Sequence, residues 1–421
     1  MTIGGNSADA ALRGRAAKVI PNGMYGHQSA RLLPEGYPQF FARGAGAEMW
    51  DVDGNRYIDF MCAYGPNLFG YADREIDSAY VAQMREGDTL TGPTGLMVEL
   101  AEAMTGQIAH AEWVLFCKNG TDATTAAVMS ARAATRRHTL LRARGAYHGA
   151  APWCTPRDPG VAPGDRANQI FFDYNDVASL EAAVAEAGDD LAAIVAQPIN
   201  QPAFAAQEAP TPAYALAARA LASRAGGMLI VDEVRTGYRT STGSIWDDLG
   251  APPDMSAWGK VLANGHPLSA LVGGAAARKG AERIYTTGSF WFSAAPMAAA
   301  LVVQKRVREG SYLNHIKAIG GALRMGLADL ADRHGVGFLQ TGPETMPLFL
   351  FADDDADFRA AYFWCQQMLR RGVYMHPWHN MFICAAMTEA HVEQTLAAAD
   401  EAFAALASAR VSLPPNRVLA A

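Results

Sequence analysis

The sequence has few cysteines and no long apolar run, and both absences exclude whole classes of protein. Five cysteines are dispersed along the chain without a Cys-x-x-Cys pair: Cys62, Cys117, Cys154, Cys365 and Cys384. This odd, scattered set argues against a disulfide framework and against a structural zinc site. Residues 1–15 lack the apolar centre of a signal peptide, and no segment approaches the roughly 18 uninterrupted apolar residues of a membrane helix. We therefore expect a cytoplasmic protein without a membrane partner.

The chain also lacks a strong positive charge. Charged residues make up 18% of its 421 residues, the formal net charge is −7, and no dense Lys/Arg run offsets it. These values argue against nucleic acid as a partner. A nicotinamide-dependent oxidoreductase is disfavoured as well, because no Gly-x-Gly-x-x-Gly turn follows an early strand. A small-molecule partner fits the composition better.

The pattern of apolar residues predicts an α/β fold. At this length we expect about two domains. Ala-rich segments of helical period, clearest at 121–136 and 212–224, alternate with apolar runs of strand length. Those runs lie at 113–117, 193–196, 228–231 and 268–272. Strands that are apolar on both sides and alternate with helices predict a mostly parallel central sheet, covered on both faces.

The two ends of the chain predict a second, smaller domain. Residues 48–60 alternate apolar and polar positions around Asp53-Gly54, which indicates a hairpin. After residue 310 the pattern indicates helix and strand segments at 312–333, 348–351, 357–371 and 391–407. We expect residues 1–60 and 311–421 to combine into an α+β domain beside a large domain at 61–310.

Two segments suggest chemistry when they are taken together. An apolar strand ends in Asp232-Glu233, and 28 residues later Lys260 stands between Gly259 and a short apolar segment. Alone, each is typical of a solvated strand end or a surface lysine. A lysine in an apolar turn becomes nucleophilic because desolvation lowers its pKa. A Schiff-base lysine with an acidic partner for a pyridinium nitrogen is the pair that pyridoxal phosphate needs.

Two further turns suit the other parts of such a cofactor. Asn119-Gly120-Thr121 lies between a strand and an Ala-rich helix, where free N–H groups would bind a phosphate. The same residues are also typical of an ordinary helix cap. Tyr147 and His148 follow another strand, where an aromatic ring can stack on a flat cofactor or simply pack the loop.

The order of these segments resembles the class III aminotransferases among the fold-type I pyridoxal-phosphate enzymes. That family has glutamate-1-semialdehyde aminomutase and amino-acid racemase relatives. The matching motifs are NGTDA, AYHG, DEVRTGYR and GK, with weaker matches at MWDVDGNRYIDF and RGVYMHP. The resemblance implies pyridoxal 5′-phosphate as cofactor, and a homodimer with the site at its interface. It also implies an amino donor and a keto or aldehyde acceptor as small-molecule partners.

The resemblance also implies roles for individual residues. Lys260 would be the Schiff-base lysine and proton shuttle, and Asp232 the partner of the ring nitrogen. Tyr147 would cover one face of the ring and Val234 the other. The implied cofactor site consists of Asn119, Gly120, Thr121, Tyr147, His148, Asp232, Val234 and Lys260.

This sequence departs from the family pattern at three places. Gln197 stands where relatives usually have a glutamate before proline. Arg235 stands where they often have a neutral residue; it would meet the cofactor's phenolic oxygen, meet a substrate carboxylate, or lie on the surface. In relatives a threonine binds the phosphate of the cofactor in the partner subunit's site. Trp291 stands in its place here, so this contact is lost or moves to Thr287, Ser289 or Ser293. We favour Ser289, which keeps the Gly-Ser pair.

Several residues are candidates for substrate contact. His27 and Arg31 would bind a carboxylate or lie on the surface. Aromatic residues from segments that border the site in relatives would form a side pocket or part of the core. These are Tyr25, Tyr64, Trp153 and Trp291. Gln197 and Arg235 are the candidates for determining specificity.

The sequence predicts no metal site and favours transamination. His376 and His379 resemble a metal pair only superficially, since Pro377 interrupts the helix that such a pair needs and no third ligand is evident. The expected function is a pyridoxal-phosphate-dependent aminotransferase. The alternatives are an aminomutase or racemase that uses the same residues, and a noncatalytic protein that has kept the fold.

Overall fold

A computed structural model describes residues 7–352, 354–416 and 418–419. The first six residues of the expected small domain therefore lie outside the described residues. The helices are α1 Ser7–Val19, α2 Arg74–Glu86, α3 Leu96–Gln107, α4 Gly120–Thr135, α5 Val177–Ala187, α6 Pro212–Ala225, α7 Ile245–Asp248, α8 Ala275–Ala281, α9 Ala294–Glu309, α10 Ser311–Arg333, α11 Arg359–Arg370 and α12 Glu389–Ala409. The strands are β1 Phe41–Ala45, β2 Glu48–Asp51, β3 Arg56–Asp59, β4 Trp113–Cys117, β5 Thr139–Ala143, β6 Gln169–Phe172, β7 Leu191–Ala196, β8 Met228–Asp232, β9 Met255–Trp258, β10 Ser269–Gly273, β11 Phe338–Thr341, β12 Leu348–Phe351 and β13 Val373–Tyr374.

The large sheet of the described chain has the strand order β4-β10-β9-β8-β7-β5-β6. Strand β10 is antiparallel to both of its neighbours, and the other pairs in the sheet are parallel. Every residue of β7, β8, β9 and β10 is buried, as expected for strands covered on both faces. The predicted α/β fold with a mostly parallel sheet is confirmed.

Local sequence explains where the covering helices begin and end. Helix α6 begins after Thr211, whose hydroxyl accepts a hydrogen bond from the Tyr214 N–H, and Pro212 occupies its first turn. It ends at Gly226, which adopts a left-handed φ of 68°. Its Ala-rich face is buried against the sheet, so small side chains allow close helix-to-sheet packing.

The two ends of the chain meet in a smaller sheet with the order β1-β2-β3-β13. Strand β13 pairs in parallel with β3, with Val373 opposite Ile58. Helices α10, α11 and α12 lie in the C-terminal part, where Trp364 contacts Phe338, Phe351 and Phe403. This pairing supports the domain bounds 1–60, 61–310 and 311–421, which we propose for the chain.

Several predicted elements differ from the structure. The expected strand at 268–272 lies at 269–273 and runs against its neighbours. Strands β6 and β9 had not been predicted. The helix expected over 357–371 is shorter, because Phe358 has a left-handed φ of 56° and the helix starts after it. In the described part of the chain, no helix has both the length and the apolar character needed to cross a membrane.

Replacing Trp364 tests the core of the smaller domain. Its side chain is 1% exposed, so Trp364→Ala leaves a cavity and should lower the free energy of unfolding by about 3–5 kcal/mol. Met325→Ala is a matched control, since Met325 is 66% exposed in α10. Urea unfolding of both variants measures the difference. Equal stabilities would contradict the packing described here.

Candidate active site

Chemically active side chains converge at one edge of the large sheet. Asp232 ends β8, and Lys260 follows β9 after Gly259. Gln197 follows β7, and His148 comes soon after β5. Because β10 alone is reversed, the carboxyl ends of these parallel strands share an edge, which is where ligands bind in open α/β sheets.

These residues line a cavity of about 330 Å³. Most of the residues that the sequence singled out contribute to it. They are His27, Tyr64, Asn119, Gly120, Thr121, Tyr147, His148, Gln197, Asp232, Val234, Arg235 and Lys260.

Asp232 supplies a fixed, buried carboxylate. It is 7% exposed. The Nδ1–H of His148 donates to Asp232 Oδ2 at 2.8 Å, and the backbone N–H of Val234 donates to Oδ1 at 3.1 Å. His148 is itself buried, and its Nε2 has no hydrogen-bond partner within the described chain. The pair presents a negative charge whose orientation is set from two sides.

Lys260 is chemically different from a surface lysine. Burial lowers the pKa of its amine to about 7, with further lowering by Arg235 and Arg239. A large fraction of the amine is therefore neutral and nucleophilic near neutral pH. Its Nζ donates to the backbone oxygen of Tyr64 at 2.7 Å, which holds the amine within the cavity.

Strained backbone supports this arrangement. Lys260 has φ of 47°, and Cys62, Ala63 and Tyr64 have φ of 45°, 55° and 63°. Left-handed conformations of non-glycine residues cost about 1–3 kcal/mol each and persist only where their surroundings enforce them. Here the buried Arg239 donates to the backbone oxygens of Gly65 and Ile383, so the turn that presents Tyr64 is fixed to the C-terminal part.

The N-terminus of α4 forms a small cradle. The Asn119 side chain caps the helix in a capping box with Asp122. A Cβ at Gly120 would lie 2.7 Å from Val234 Cγ1, and one at Gly149 would overlap Thr121 Oγ1. Thr121 Oγ1 accepts a hydrogen bond from the Ala150 N–H at 3.1 Å. Glycines thus keep open a helix terminus that suits a phosphate.

The three parts fit pyridoxal 5′-phosphate. A buried anion suits the ring nitrogen, a partly neutral lysine suits the aldehyde carbon, and a glycine-lined helix terminus suits the phosphate. The orphaned Gln197 Oε1 and His148 Nε2 add unpaired polar atoms to this region.

Uncharged polar groups form part of the remaining walls, beside the cations of Lys118 and Arg235. Gln197 Nε2 donates to the Tyr147 backbone oxygen at 2.9 Å. His27 lies at the solvent side of the cavity, and partial burial followed by the charges of Lys260 and Arg235 lowers its pKa. Burial lowers the pKa of His376 to about 3 and that of His379 well below its usual value. These histidines are therefore neutral at physiological pH.

Sequence reasoning missed the contribution of the segment after β13. His379 faces the Tyr64 ring at a centroid distance of 5.3 Å, and Asn380 accepts a hydrogen bond from Arg235. The weak match at RGVYMHP was the available signal, because it lies directly before these residues. Across the described residues, no group of three or more His, Cys, Asp or Glu side chains is arranged to hold a metal ion.

Five candidates lie away from this cavity. Tyr25 is 67% exposed, and Arg31 and Ser289 are also exposed. Trp291 lines a separate cavity of about 350 Å³. Trp153 is buried behind His148 and donates to Thr125 Oγ1, so it belongs to the core and not to a side pocket.

Comparison with known proteins identifies the class. Residues 34–403 match the family model "Aminotransferase class-III", and the chain belongs to this family. It is a pyridoxal-phosphate-dependent aminotransferase of fold type I. The predictions of fold, family, cofactor and enzyme class are thus confirmed, and the noncatalytic alternative is not supported.

Individual relatives are similar along their whole length. The aminopentol aminotransferase of Sphingopyxis macrogoltabida is 50% identical over 408 residues, which cover 97% of this chain and 96% of that protein. The pyridoxal-phosphate internal aldimine form of the FumI protein of Sphingopyxis sp. MTA144 is 49% identical, with a TM-score of 0.96, and 98% of this chain and 99% of that chain are covered. The glutamate-1-semialdehyde 2,1-aminomutase of Chloroflexus aggregans is 31% identical, covering 93% of this chain and 96% of that protein.

The pKa of Lys260 predicts how fast the apoenzyme takes up its cofactor. With a pKa of about 7, the neutral fraction of the amine rises from about 10% to about 90% between about pH 6 and pH 8. The rate of cofactor uptake should rise over that range and level off above it, because almost all of the amine is then neutral. Stopped-flow absorption measures the rate, and Lys260→Ala serves as the blank. A rate that keeps rising about tenfold per pH unit up to about pH 10 would refute the lowered pKa.

Proposed function

We propose that this aminotransferase takes the amino group from an amino polyol of the aminopentol type and passes it to a keto acid. The 50% identity to the aminopentol aminotransferase over 97% of the chain is the main support. The walls of the cavity agree with it, because Gln197 and His27 offer uncharged polar groups to a hydroxylated amine.

Gln197 gives this donor a specific partner. Its Oε1 is buried and has no hydrogen-bond partner among the described residues. Leaving such an acceptor unpaired costs about 1–3 kcal/mol, and a substrate hydroxyl would remove that cost. The glutamate that relatives usually have here would instead favour a positively charged or strongly hydrogen-bonding group.

The roles of the chain's residues follow from their positions. Bound pyridoxal phosphate supplies an electron-withdrawing ring that stabilises negative charge at the substrate carbon. Asp232, oriented by His148, holds the ring nitrogen. Lys260, with its lowered pKa, would take the proton from the substrate carbon that bears the amine and would return it to the C4′ carbon of the cofactor. Asn119, Gly120 and Thr121 bind the phosphate, while Tyr147 and Val234 enclose the ring.

The second part of the proposal concerns assembly. We infer a homodimer in which Ser289 of the partner subunit completes the phosphate site. Ser289 is exposed in the single chain, in a loop where Tyr285 is 85% and Phe290 is 64% exposed. Large apolar side chains this exposed are typical of an interface. The five buried free cysteines support a reducing, cytoplasmic location.

The donor assignment is tested with the purified holoenzyme. Aminopentol with pyruvate should yield alanine and the ketone in equal amounts, and omission of pyruvate should limit the reaction to one turnover per site. An aminomutase would instead convert a single substrate repeatedly without any keto acid. Lys260→Ala should be inactive in both assays.

The shared site is tested by complementation. Ser289→Trp should block the partner subunit's phosphate site, and Lys260→Ala removes the lysine of its own site. In a co-expressed mixture, one site of each mixed dimer has both wild-type residues. Activity should therefore return to a substantial fraction of the wild-type value. If the two variants together stay as inactive as each alone, Ser289 does not act across the interface.

A further inference from the structure

Arg235 carries a positive charge without an acidic partner. It follows β8 and lines the cavity, and its guanidinium makes one hydrogen bond within the described chain, from Nη1 to Asn380 Oδ1 at 3.3 Å. A guanidinium has five N–H donors and stays protonated in proteins. Burial, the largest influence on its pKa, lowers the pKa of Arg235. A half-buried charge with one long, neutral hydrogen bond is costly unless a ligand supplies an anion.

The other charged groups of the cavity are already engaged. Asp232 accepts from His148 and from the Val234 N–H, Lys260 donates to the Tyr64 backbone oxygen, and Lys118, which also lines the cavity, donates to the Pro267 backbone oxygen at 2.9 Å. His27 and His379 are kept neutral, in part by Arg235 itself. Asp232 attracts Arg235 electrostatically, but it makes no ion pair with it in the described structure.

The position of Arg235 separates it from the phosphate cradle. Its hydrogen-bond partner, Asn380, belongs to the segment after β13, whereas the cradle is the N-terminus of α4. Its electrostatic neighbours include Asp232 and Lys260, and on the substrate side His27, Tyr147 and His379. Arg235 therefore lies beside the reacting amine of Lys260, on the side of the cavity where the substrate would be held.

We propose that Arg235 binds the carboxylate of the keto-acid acceptor. A carboxylate accepts two parallel N–H bonds from a guanidinium and neutralises it. The amino polyol has no such group and relies on the neutral walls, so Arg235 is the residue that separates the two substrates. Asn380 holds the side chain while no carboxylate is bound. This inference rests on the proposed function.

The acceptor half-reaction tests Arg235 independently of the donor. The enzyme is loaded with pyridoxamine phosphate and mixed with pyruvate or with acetaldehyde, which is pyruvate without its carboxylate. In Arg235→Gln the ratio of kcat/KM for pyruvate to that for acetaldehyde should fall about 100-fold, chiefly through KM. Arg235→Lys should lose less. Arg224→Gln, an exposed arginine in α6, is the matched control and should keep the wild-type ratio.

A second variant keeps Arg235 but pairs its charge with a new carboxylate. Asn380→Asp places a fixed carboxylate beside the guanidinium, so it should lower the same ratio. Acetate should inhibit the pyruvate reaction of the wild type competitively, and this inhibition should weaken in both variants.

An unchanged pyruvate-to-acetaldehyde ratio in both Arg235→Gln and Asn380→Asp would overturn the inference. A shift of the bound cofactor's absorption band beside that unchanged ratio would assign Arg235 to the cofactor. Failure of aminopentol as a donor would leave these results intact, since no donor enters the assay.

Discussion

The hydrogen bond from His148 to Asp232 holds the anion on which the electrostatics of the site depend. A carboxylate that is 7% exposed is expensive to bury unless donors surround it, and His148 Nδ1 and the Val234 N–H are those donors. Lys260 and Arg235 repel each other electrostatically, which makes the charged form of each side chain less stable. The lysine responds by losing its proton more easily, whereas the arginine cannot. The site thus combines the carboxylate of Asp232, the titratable amine of Lys260 and the permanent positive charge of Arg235.

The sheet topology makes this arrangement possible. Asp232 and Lys260 end neighbouring strands β8 and β9, and these strands are parallel. Gln197 follows β7 on the other side of β8. The reversed β10 lets the chain return beside β9 without a crossover helix, so Ser269 lies close to Gly259. A Cβ at Gly259 would come within 2.6 Å of Ser269 Oγ, which explains why glycine precedes the lysine.

Much of this was accessible from the sequence, but unevenly. Lys260 and Asp232 were recognisable because Asp232 ends an apolar run and Lys260 stands before one, each within a family motif, and buried β7 and β8 were recognisable as continuous apolar runs. The direction of β10 was not, because a strand buried on both faces has the same apolar pattern in either direction. The contacts of His379 with Tyr64 and of Asn380 with Arg235 were also missed. More than a hundred residues separate them from Asp232, and long-range contacts such as the pairing of β13 with β3 and the hydrogen bond from Arg239 to Ile383 bring them close. Ser289 had been assigned a role at the partner subunit's site, which a single chain does not contain.

The two departures at Gln197 and Arg235 have a common consequence. Relatives usually have a glutamate at the first position and often a neutral residue at the second, so each change makes the cavity more positive by one charge. A glutamate at 197 would have offered Arg235 a carboxylate lining the same cavity. With glutamine there, the guanidinium keeps its charge unpaired, and the amide oxygen keeps an unfilled acceptor. An unpaired guanidinium at Arg235 and an unpaired amide oxygen at Gln197 are both unfavourable in the free protein. Their combination fits the proposal that the site takes two different ligands in turn, a keto acid that brings an anion and an amino polyol that brings a hydroxyl.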